Sequence, residues 1–254
     1  MVHRAKFHPH SILITGAAGG IGAALARVYA GPGMHLFLGD SNPAGLAGIT
    51  AECRARGADA QWTQVDVTDK AAMAAWIKAA DNIKPLDLVV MLAGVSYGSA
   101  TQEETPEETR RTFAINLDGL LNTLEPVLPL FRRRQRGQLA LMSSHGAFRG
   151  LPIAPSYSAT KAAIRVYGEG LQAWLKRENI FVTVIIPGFV KTPMTDANEF
   201  FMPFRLSAPR AARIIRRGLA RGRPRISFPW PINAGVYFLS LLPKTWVDRL
   251  VALK

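Results

Sequence analysis

Cysteine is almost absent from this sequence. Cys53 is the only cysteine in 254 residues, so no disulfide can form within the chain. Structural disulfides are common in secreted proteins and rare in the cytosol, so this scarcity fits a reducing compartment. We therefore expect a cytoplasmic protein.

Long apolar runs are also lacking. No stretch of about 20 residues is apolar without interruption, which argues against an ordinary membrane-spanning helix. The first ten residues are polar and basic, and the apolar run that follows, Ile12 to Ile14, is far too short for the core of a signal peptide. Both observations agree with a cytoplasmic location.

Acidic residues are scarce towards the C-terminus. The formal net charge is +13, and from Arg205 onward eleven basic residues are accompanied by one acid, Asp248. Nucleic acid is an unlikely partner in our interpretation, because no helix-turn-helix, zinc or aromatic stacking motif accompanies the charge. An anionic membrane surface, an acidic ligand and a solvated basic face all remain open. We predict no metal site.

What the chain does have is a regular alternation of short apolar runs and longer helical patterns. This alternation predicts βαβ units, and hence an α/β protein with a doubly wound parallel sheet covered by helices on both faces. We expect one domain over residues 1–228 and a separate C-terminal extension over residues 229–254. The predicted strands are Ser11–Thr15, His35–Gly39, Ala60–Val65, Leu86–Leu92, Gly137–Ser143, Phe181–Ile186 and Arg225–Phe228, and the predicted helices are Ile21–Ala30, Pro43–Arg56, Lys70–Asn82, Pro106–Phe131, Ser156–Lys176 and Pro209–Arg221.

A glycine-rich turn joins the first predicted strand to the first predicted helix. Glycines in such a turn allow a tight bend and let the backbone approach a pyrophosphate at the helix N-terminus. They can also serve packing alone, so the turn by itself is a moderate signal. The candidate cofactor-binding residues here are Gly16, Gly19, Gly20, Ile21 and Gly22.

Asp40 ends the second predicted strand, about twenty residues after the turn. A carboxylate at this point can bond both hydroxyls of an adenosine ribose and would repel a 2′-phosphate. No basic residue stands at Gly19 or Ser41 to receive that phosphate. We therefore favour NAD over NADP as the cofactor, with NADP still possible. The alternative is that Asp40 only stabilises a turn or a helix start.

Small and polar residues follow the next two predicted strands. Asp66 is placed to bond an adenine amino group, whereas Ala93 and Gly94 would let the backbone pass close to a cofactor. Asn116 lies inside a long helical pattern, where asparagine is unfavourable unless it faces solvent or has a specific polar role. Its apolar neighbours do not decide between these alternatives.

Tyr157 and Lys161 are four residues apart at the start of a long helical pattern, so they share one helix face. A phenol with a pKa near ~10 is a poor acid or base at neutral pH. We expect the Lys161 ammonium to lower the pKa of Tyr157, which could then exchange a proton with an alcohol or carbonyl oxygen. The pair alone is a weak signal, because it also arises by chance as a surface pair.

Taken together, these motifs resemble the short-chain dehydrogenase/reductase family in order and spacing from Ser11 to about Met194. The resemblance implies a Rossmann-like fold with a seven-stranded sheet and a nicotinamide cofactor. It also implies an oligomer, a homodimer or homotetramer. The matching segments are Thr15–Gly16, Gly20–Gly22, Asp66–Val67, Ala93–Gly94, Asn116, Ser143–Ser144, Tyr157 with Lys161, and Pro187–Thr192.

The resemblance also implies a role for each matching residue. Tyr157 is expected to be the catalytic acid or base, and Lys161 would bond the nicotinamide ribose. Ser144 would hold the substrate oxygen, although Ser143 beside it is a second candidate. Asn116 would hold a water that links Lys161 to solvent. The remaining cofactor residues implied in this way are Val67, Pro187, Gly188, Val190 and Thr192.

Two departures from the family pattern stand out. Met91 and Leu92 replace two asparagines that often follow the fourth strand, so one stabilising hydrogen-bond network should be absent or rebuilt. The C-terminus lacks the usual glycine-rich ending and carries Trp230, Tyr237, Phe238 and Trp246 instead. In this tail pattern the chain is similar to family members that act on lipid-like substrates at membranes.

We expect residues 193–208 to form an apolar lid over a hydrophobic substrate, because aromatic residues and methionine are concentrated there. The alternative is a helix that packs the same residues into the core. The tail over Ile226–Pro243 has no charge, and its prolines should break it, so it could anchor at a membrane interface or pack on protein. The candidate substrate-binding residues are Ser144, Phe189, Phe200, Phe201, Met202 and Phe204.

These features predict an NAD(P)-dependent oxidoreductase that interconverts a secondary alcohol and a ketone on an apolar substrate of lipid, steroid or aromatic type. A dinucleotide-binding regulatory or scaffold protein without turnover is the alternative. A third hypothesis is a reductase that associates with the inner membrane surface. The complete set of Asn116, Ser144, Tyr157 and Lys161 favours turnover, because a protein that only binds has no need of a proton relay.

Overall fold

The computed structural model describes residues 7–98, 102–196, 202 and 204–241. Seven parallel strands form one sheet in the order β3-β2-β1-β4-β5-β6-β9. The strands are β1 (Ser11–Thr15), β2 (His35–Asp40), β3 (Asp59–Gln64), β4 (Leu88–Met91), β5 (Gly137–Met142), β6 (Ile180–Pro187) and β9 (Arg225–Phe228). The predicted α/β class, the seven strands and the doubly wound arrangement are confirmed.

Helices cover both faces of this sheet. They are α1 (Gly20–Tyr29), α2 (Pro43–Ala55), α3 (Lys70–Ile83), α4 (Pro106–Phe113), α5 (Gly119–Arg134), α6 (Pro155–Leu175), α7 (Pro193–Asp196), α8 (Ala208–Ala220) and α9 (Trp230–Leu241). The helices predicted over the first three and over α6 and α8 agree with these bounds to within a residue or two.

Side chains of β1 pack alternately into two hydrophobic cores, one on each face of the sheet. Ile12 and Ile14 point into a core shared with α1, α2 and α8, whereas Leu13 points into a core shared with α3, α5 and α6. All three side chains are fully buried. A strand buried on both faces has to be apolar at successive positions, which explains the unbroken apolar runs in the sequence.

The strand order changes direction between β1 and β4. From β1 the chain moves outward to β2 and β3, and it then returns to place β4 on the other side of β1. Their crossover connections therefore diverge and leave a crevice at the carboxyl ends of these two strands. Ligands in open α/β sheets bind in such a crevice.

The helix predicted over Pro106–Phe131 is helical throughout but contains a turn of a different kind. The structure has α4, then a π-helical turn over Ala114–Asp118, then α5. The wider turn contains Asn116, whose buried side chain bonds to groups outside the helix. A π turn of this kind is a frequent feature of functional sites.

The region after β6 contains a small sheet that the sequence analysis missed. Strand β7 (Val190–Lys191) pairs in parallel with β8 (Leu206–Ser207). The predicted lid over residues 193–208 therefore begins with α7 and ends with β8. Phe200 and Phe201 lie outside the described residues.

The prolines of the tail were expected to exclude a straight membrane-spanning helix, and the helix that the structure has there, α9, runs for 12 residues from Trp230. Pro231 is its second residue, where a missing N–H costs no intrahelical hydrogen bond. Helix α9 packs beside β9, and Asn233 N donates to the carbonyl of Pro229 in its first turn. Within the described part of the chain, no helix combines the length and the apolar character needed to cross a bilayer.

Candidate active site

A cavity of about 440 Å³ opens at the carboxyl edge of the sheet, in the crevice between β1 and β4. Of the residues predicted to bind cofactor, every one contributes to its lining. They are Gly16, Gly19, Gly20, Ile21, Gly22, Asp40, Asp66, Val67, Ala93, Gly94, Tyr157, Lys161, Pro187, Gly188, Val190 and Thr192. The fold thus brings together residues spread over more than 170 positions of the chain.

Glycine stands at the positions of the first turn for different structural reasons. Gly16 has a φ of +70°, and a Cβ there would lie 2.8 Å from the backbone nitrogen of Ala93. At Gly22 a Cβ would lie 2.0 Å from the carbonyl oxygen of Gly16. Gly19, by contrast, has no atom of the described residues within 4 Å of the position that a Cβ would take. Packing therefore requires Gly16 and Gly22, whereas Gly19 leaves open space.

That open space lies at the N-terminus of α1. Gly19 is the N-cap residue, and no side chain caps this end of the helix. The first N–H groups of a helix lack intrahelical partners and favour an anion. The turn therefore forms a cradle of the size and polarity that fit the pyrophosphate of a dinucleotide.

Asp40 has two roles in the structure. Its Oδ2 accepts a hydrogen bond from Ala18 N at 3.0 Å, and its Oδ1 accepts one from Asn42 N at 3.0 Å. It does not cap α2, because Asn42 does so by accepting from Gly45 N. The carboxylate thus orders the glycine-rich turn while it lines the cavity, and its remaining lone pairs can accept further hydrogen bonds.

Asp66 forms a local turn at the same edge. Its Oδ1 accepts hydrogen bonds from Thr68 N at 2.9 Å and from Thr68 Oγ1 at 2.8 Å. The N-cap of α3 is Asp69, whose side chain accepts from Ala72 N. Asn122, which the sequence analysis did not consider, fixes this segment by donating to the carbonyl of Val67 at 3.0 Å.

Thr15 supplies the hydrogen bonds at the end of β4, where Met91 and Leu92 stand. Its hydroxyl oxygen accepts from Leu92 N at 3.2 Å and from Ala93 N at 3.4 Å. The side chain of Thr15 thus connects β1 to the end of β4, where the usual family pattern has asparagines.

Asn116 is buried in the π turn and does not line the cavity. Its Oδ1 accepts from Val95 N at 2.7 Å, and its Nδ2 donates to the carbonyl of Val95 at 3.0 Å and to Thr160 Oγ1 at 3.1 Å. Asn116 therefore joins the loop after β4 to α6. Because its side chain has protein partners throughout, the expected water-holding role stays a prediction.

The two adjacent serines differ in their partners. Ser143 Oγ donates to the backbone carbonyl of Lys161 at 2.8 Å and is buried. Ser144 Oγ accepts from Gly146 N at 3.1 Å, and Ser144 is near enough to the Tyr157 phenol to lower the pKa of Tyr157. Of the two, only Ser144 presents its hydroxyl to the tyrosine.

Tyr157 and Lys161 lie side by side on α6, with the Lys161 Nζ 5.5 Å from the centroid of the Tyr157 ring. The ammonium donates to the carbonyl of Met142 at 3.0 Å. Burial lowers the pKa of Lys161 to about 8, since a charged amine in this environment loses most of its hydration.

The expectation that Lys161 lowers the pKa of Tyr157 is wrong for this structure. Burial raises the pKa of the phenol, and the hydrogen bond with Ser144 opposes that shift only in part. The loss of phenolate hydration is the larger of the two effects on the pKa of Tyr157, and the Lys161 nitrogen is directed to the carbonyl of Met142. Tyr157 is therefore protonated at neutral pH.

Fewer of the predicted substrate residues than of the predicted cofactor residues line the cavity. Ser144 lines the cavity, but Phe189, Met202 and Phe204 do not. Met202 is buried, and Phe204 is 62% exposed with a φ of +56°. Their role as substrate contacts stays a prediction.

Several cavity residues were missed by the sequence analysis. Arg111 and Ile115 lie four residues apart and share the cavity-facing side of the helix before Asn116. Neither residue stands at a helical spacing from Asn116 that would place it on the same face, so no signal in the sequence pointed to them. The other missed lining residues are Ser41, Val65, Leu92, Val95 and Met142, whereas Ser143 was named as a candidate and Pro193, Met194 and Thr195 belong to the predicted lid.

Comparison with known proteins gives concordant results. The family model described as short chain dehydrogenase matches residues 10–200. An uncharacterized oxidoreductase of Myxococcus xanthus is 35% identical over 96% of this chain and 97% of its own length. Both matches include the glycine-rich turn and the segment from Ser143 to Lys161.

Two solved structures share the fold. A short chain dehydrogenase/reductase from Burkholderia phymatum in complex with NAD superposes with a TM-score of 0.84 at 24% identity, covering 92% of this chain and 94% of the other. A 3-oxoacyl-[acyl-carrier protein] reductase with bound NAD from Brucella melitensis has a TM-score of 0.74 at 28% identity, covering 89% and 90%.

Proposed function

The chain belongs to the short-chain dehydrogenase/reductase family of oxidoreductases, and we propose that it interconverts a secondary alcohol and a ketone on an apolar substrate with a nicotinamide dinucleotide. The observation that carries this proposal is the juxtaposition of Ser144, Tyr157 and Lys161 in one cavity with the glycine-rich turn. A nicotinamide bound beside them would supply or accept the hydride.

The residues of this chain would handle the oxygen atom and its proton. Tyr157, protonated at neutral pH, is placed to donate a proton to a carbonyl oxygen, and Ser144 holds the same oxygen by a hydrogen bond. Lys161 is close enough to place its charge against the phenol ring. Holding these groups together supplies much of the acceleration, because reactants and catalyst need not meet in solution.

An apolar substrate is supported by the side chains beside this constellation. Val95, Ile115, Met142 and Met194 line the same cavity as Ser144 and Tyr157. We propose a ketone or alcohol of lipid, steroid or aromatic type, since a pocket with apolar walls and a few convergent polar groups selects for such a molecule.

The experiment that tests this function is a turnover assay. A panel of apolar and charged ketones is supplied with NADH or NADPH, and cofactor oxidation is followed for the wild type and Tyr157→Phe. We expect the wild type to prefer apolar ketones and Tyr157→Phe to lose about a thousandfold in kcat while binding the cofactor normally. Equal turnover by the two proteins would contradict the assignment of Tyr157.

We propose NAD as the preferred cofactor. Asp40 lines the cavity, and Ser41 after it is uncharged, so a 2′-phosphate at this position would meet a carboxylate and no compensating cation from these two residues. The NAD bound to the Brucella melitensis reductase is consistent with this choice.

Asp40→Asn tests the choice of cofactor. The amide keeps an oxygen for one of the two backbone partners and removes the charge, so we expect the ratio of Kd for NADPH to Kd for NADH to fall about tenfold. Asp59→Asn, an exposed substitution on β3 outside the cavity, is the control and should leave the ratio unchanged. Tighter binding of NADPH than NADH by the wild type would refute the proposal.

A location at the inner membrane surface is a further part of the proposal. Helix α8 and its C-cap residue Arg221 present an exposed stripe formed by Arg210, Arg213, Arg217 and Arg221, which we call the arginine stripe. None of these four side chains is ion-paired with an acid within the described ranges. Helix α9, which also flanks β9, exposes Trp230 and Phe238. Uncompensated basic charge with exposed aromatics is the chemistry of an interfacial contact with anionic lipid.

A further inference from the structure

His145 directly follows Ser144, the serine proposed to hold the substrate oxygen, and it is a buried polar side chain, at 7% exposure. It lies in a short 3-10 turn (His145–Ala147) that begins where β5 ends. Sequence analysis gave it no role, and it does not line the cavity. A polar ring buried at such a position needs hydrogen-bond partners to offset the loss of hydration.

Those partners come from the far end of the chain. The His145 Nε2 lies 2.9 Å from Ser227 Oγ on β9, and Ser227 Oγ donates to Asn233 Oδ1 on α9 at 2.7 Å. A three-residue chain of hydrogen bonds thus joins the segment after β5 to the edge strand and to the first turns of α9.

The direction of these bonds fixes the tautomer of the ring. Ser227 uses its one proton towards Asn233, so its oxygen can only accept from His145, and Nε2 must be the protonated nitrogen. Burial lowers the pKa of His145 to about 4, so the ring stays neutral across the physiological range. The contact with Ser227 therefore does not act as a pH switch in this range.

The other ring nitrogen, Nδ1, lies close to the cavity lining and has no hydrogen-bond partner among the described residues. A Cβ placed on Gly188 would lie 3.1 Å from His145 Nδ1 and 3.3 Å from Ile232 Cδ1 on α9. Gly188 lines the cavity at the position proposed for the nicotinamide. His145 is thus next to Ser144 in the chain and close to Gly188. Helix α9 contacts the same region through Ile232 and, by way of Ser227, through Asn233.

We propose that His145 is a positioning residue that holds Ser144 in register through Ser227 and Asn233, so that helix α9 helps to set the geometry of the active site. The inference rests on the proposed function, because it assigns Ser144 to the substrate oxygen. It gives the C-terminal helix a part in catalysis without direct contact with substrate.

Substitutions that mimic one ring nitrogen at a time separate positioning from simple packing. In His145→Gln the side-chain amide nitrogen takes the place of Nε2 and can donate to Ser227, whereas in His145→Asn it takes the place of Nδ1 and cannot. We expect His145→Gln to retain kcat within about threefold of the wild type. His145→Asn and His145→Phe should each lose about tenfold or more in kcat, and the Kd of the cofactor should be unchanged in all three variants. His35→Gln, on β2 and far from the cavity, is the control.

Two further measurements complete the test. Ser227→Ala combined with His145→Phe should lower kcat no further than His145→Phe alone, because both remove one linkage. Amide hydrogen exchange, which needs no substrate, should show faster exchange in α9 for His145→Phe and wild-type exchange for His145→Gln.

The outcomes distinguish this inference from the function on which it rests. Wild-type turnover by Tyr157→Phe would refute the proposed function, whatever the histidine variants do. An inactive Tyr157→Phe together with equal kcat for the Gln, Asn and Phe variants would refute only the role of His145. Unchanged exchange in α9 for His145→Phe, or additive losses in the double variant, would also overturn it.

Discussion

Individual residues show where chemistry could be predicted from the sequence and where it could not. The identity and spacing of Tyr157 and Lys161 indicated a catalytic pair, and the fold places both in the cavity. Their protonation was not predictable, because burial depends on packing from β5 and the rest of the domain. The choice between Ser143 and Ser144 likewise needed the structure, which shows that Ser143 bonds to the Lys161 carbonyl.

Lys161, a residue of the proposed active site, also affects the unfolding free energy of the protein. Its folded-state pKa of about 8 lies below the ordinary value of 10.5, so between those values the unfolded chain binds more protons than the native protein. The cost of burying the charge is fully present below pH 8 and disappears as the pH rises towards 10.5. The sequence would thus keep a destabilising lysine because catalysis requires it.

Lys161→Met tests this link. The apolar, similarly shaped side chain should raise the unfolding free energy at pH 7 by up to about 3 kcal/mol and remove turnover. The advantage over the wild type should shrink as the pH rises from 8 to 10.5, as measured by denaturant unfolding at each pH. A variant that is less stable than the wild type at pH 7 would show that burial of this charge is not costly.

Secondary-structure elements were predicted well where their periodicity was strong. The strands β1 and β9 have the predicted bounds, and Asn42 and Asp69 cap α2 and α3. The π turn over Ala114–Asp118 was missed because its sequence has the same apolar spacing as a helix, and only the tertiary bonds of Asn116 widen it. The pairing of β7 with β8 was missed because two-residue strands have no detectable pattern.

At the scale of secondary-structure elements, our prediction concerns the arginine stripe of helix α8. Like charges three and four residues apart destabilise a helix slightly, so the arginine stripe is not explained by the stability of α8. We expect Arg213→Glu with Arg217→Glu to abolish binding to phosphatidylglycerol-rich vesicles, measured by co-sedimentation at low salt. Lys78→Glu with Lys84→Glu, an equal charge change on exposed residues near α3, should leave binding intact.

Two controls decide whether the partner is lipid. Vesicles of pure phosphatidylcholine should bind neither protein, and binding to anionic vesicles should weaken as salt is added. Equal affinity of the wild type for duplex DNA under the same conditions would favour a general polyanion site instead of a membrane. Equal losses in both double variants would show that net charge alone is responsible.

At the scale of the whole molecule, the α/β class was predicted from the sequence alone, whereas the strand order that places the cavity between β1 and β4 was not. Nor was the arrangement of subunits. The family resemblance implies a homodimer or homotetramer, and α6 exposes an apolar stripe with Val166 and Trp174 eight residues apart. We propose that this stripe contributes to the contact between subunits.

The oligomer prediction is tested by molar mass in solution. Light scattering of the wild type should give two or four times the 27.7 kDa of one chain. Val166→Lys should lower that value, because a charge placed in an apolar contact opposes association. Ile83→Lys, at an equally exposed apolar residue on α3, should leave it unchanged. A monomeric wild type would contradict the prediction.

The central claim is that the Tyr157 phenol, held by Ser144, exchanges the proton with the substrate oxygen. Single-turnover oxidation of bound NADH on mixing with a reactive ketone measures this step most directly, and Ser143→Ala is the matched control. The account predicts that Tyr157→Phe and Ser144→Ala each slow hydride transfer by about a hundredfold or more, while Ser143→Ala stays near the wild-type rate. Wild-type rates in Tyr157→Phe, or equal losses in the two serine variants, would contradict it.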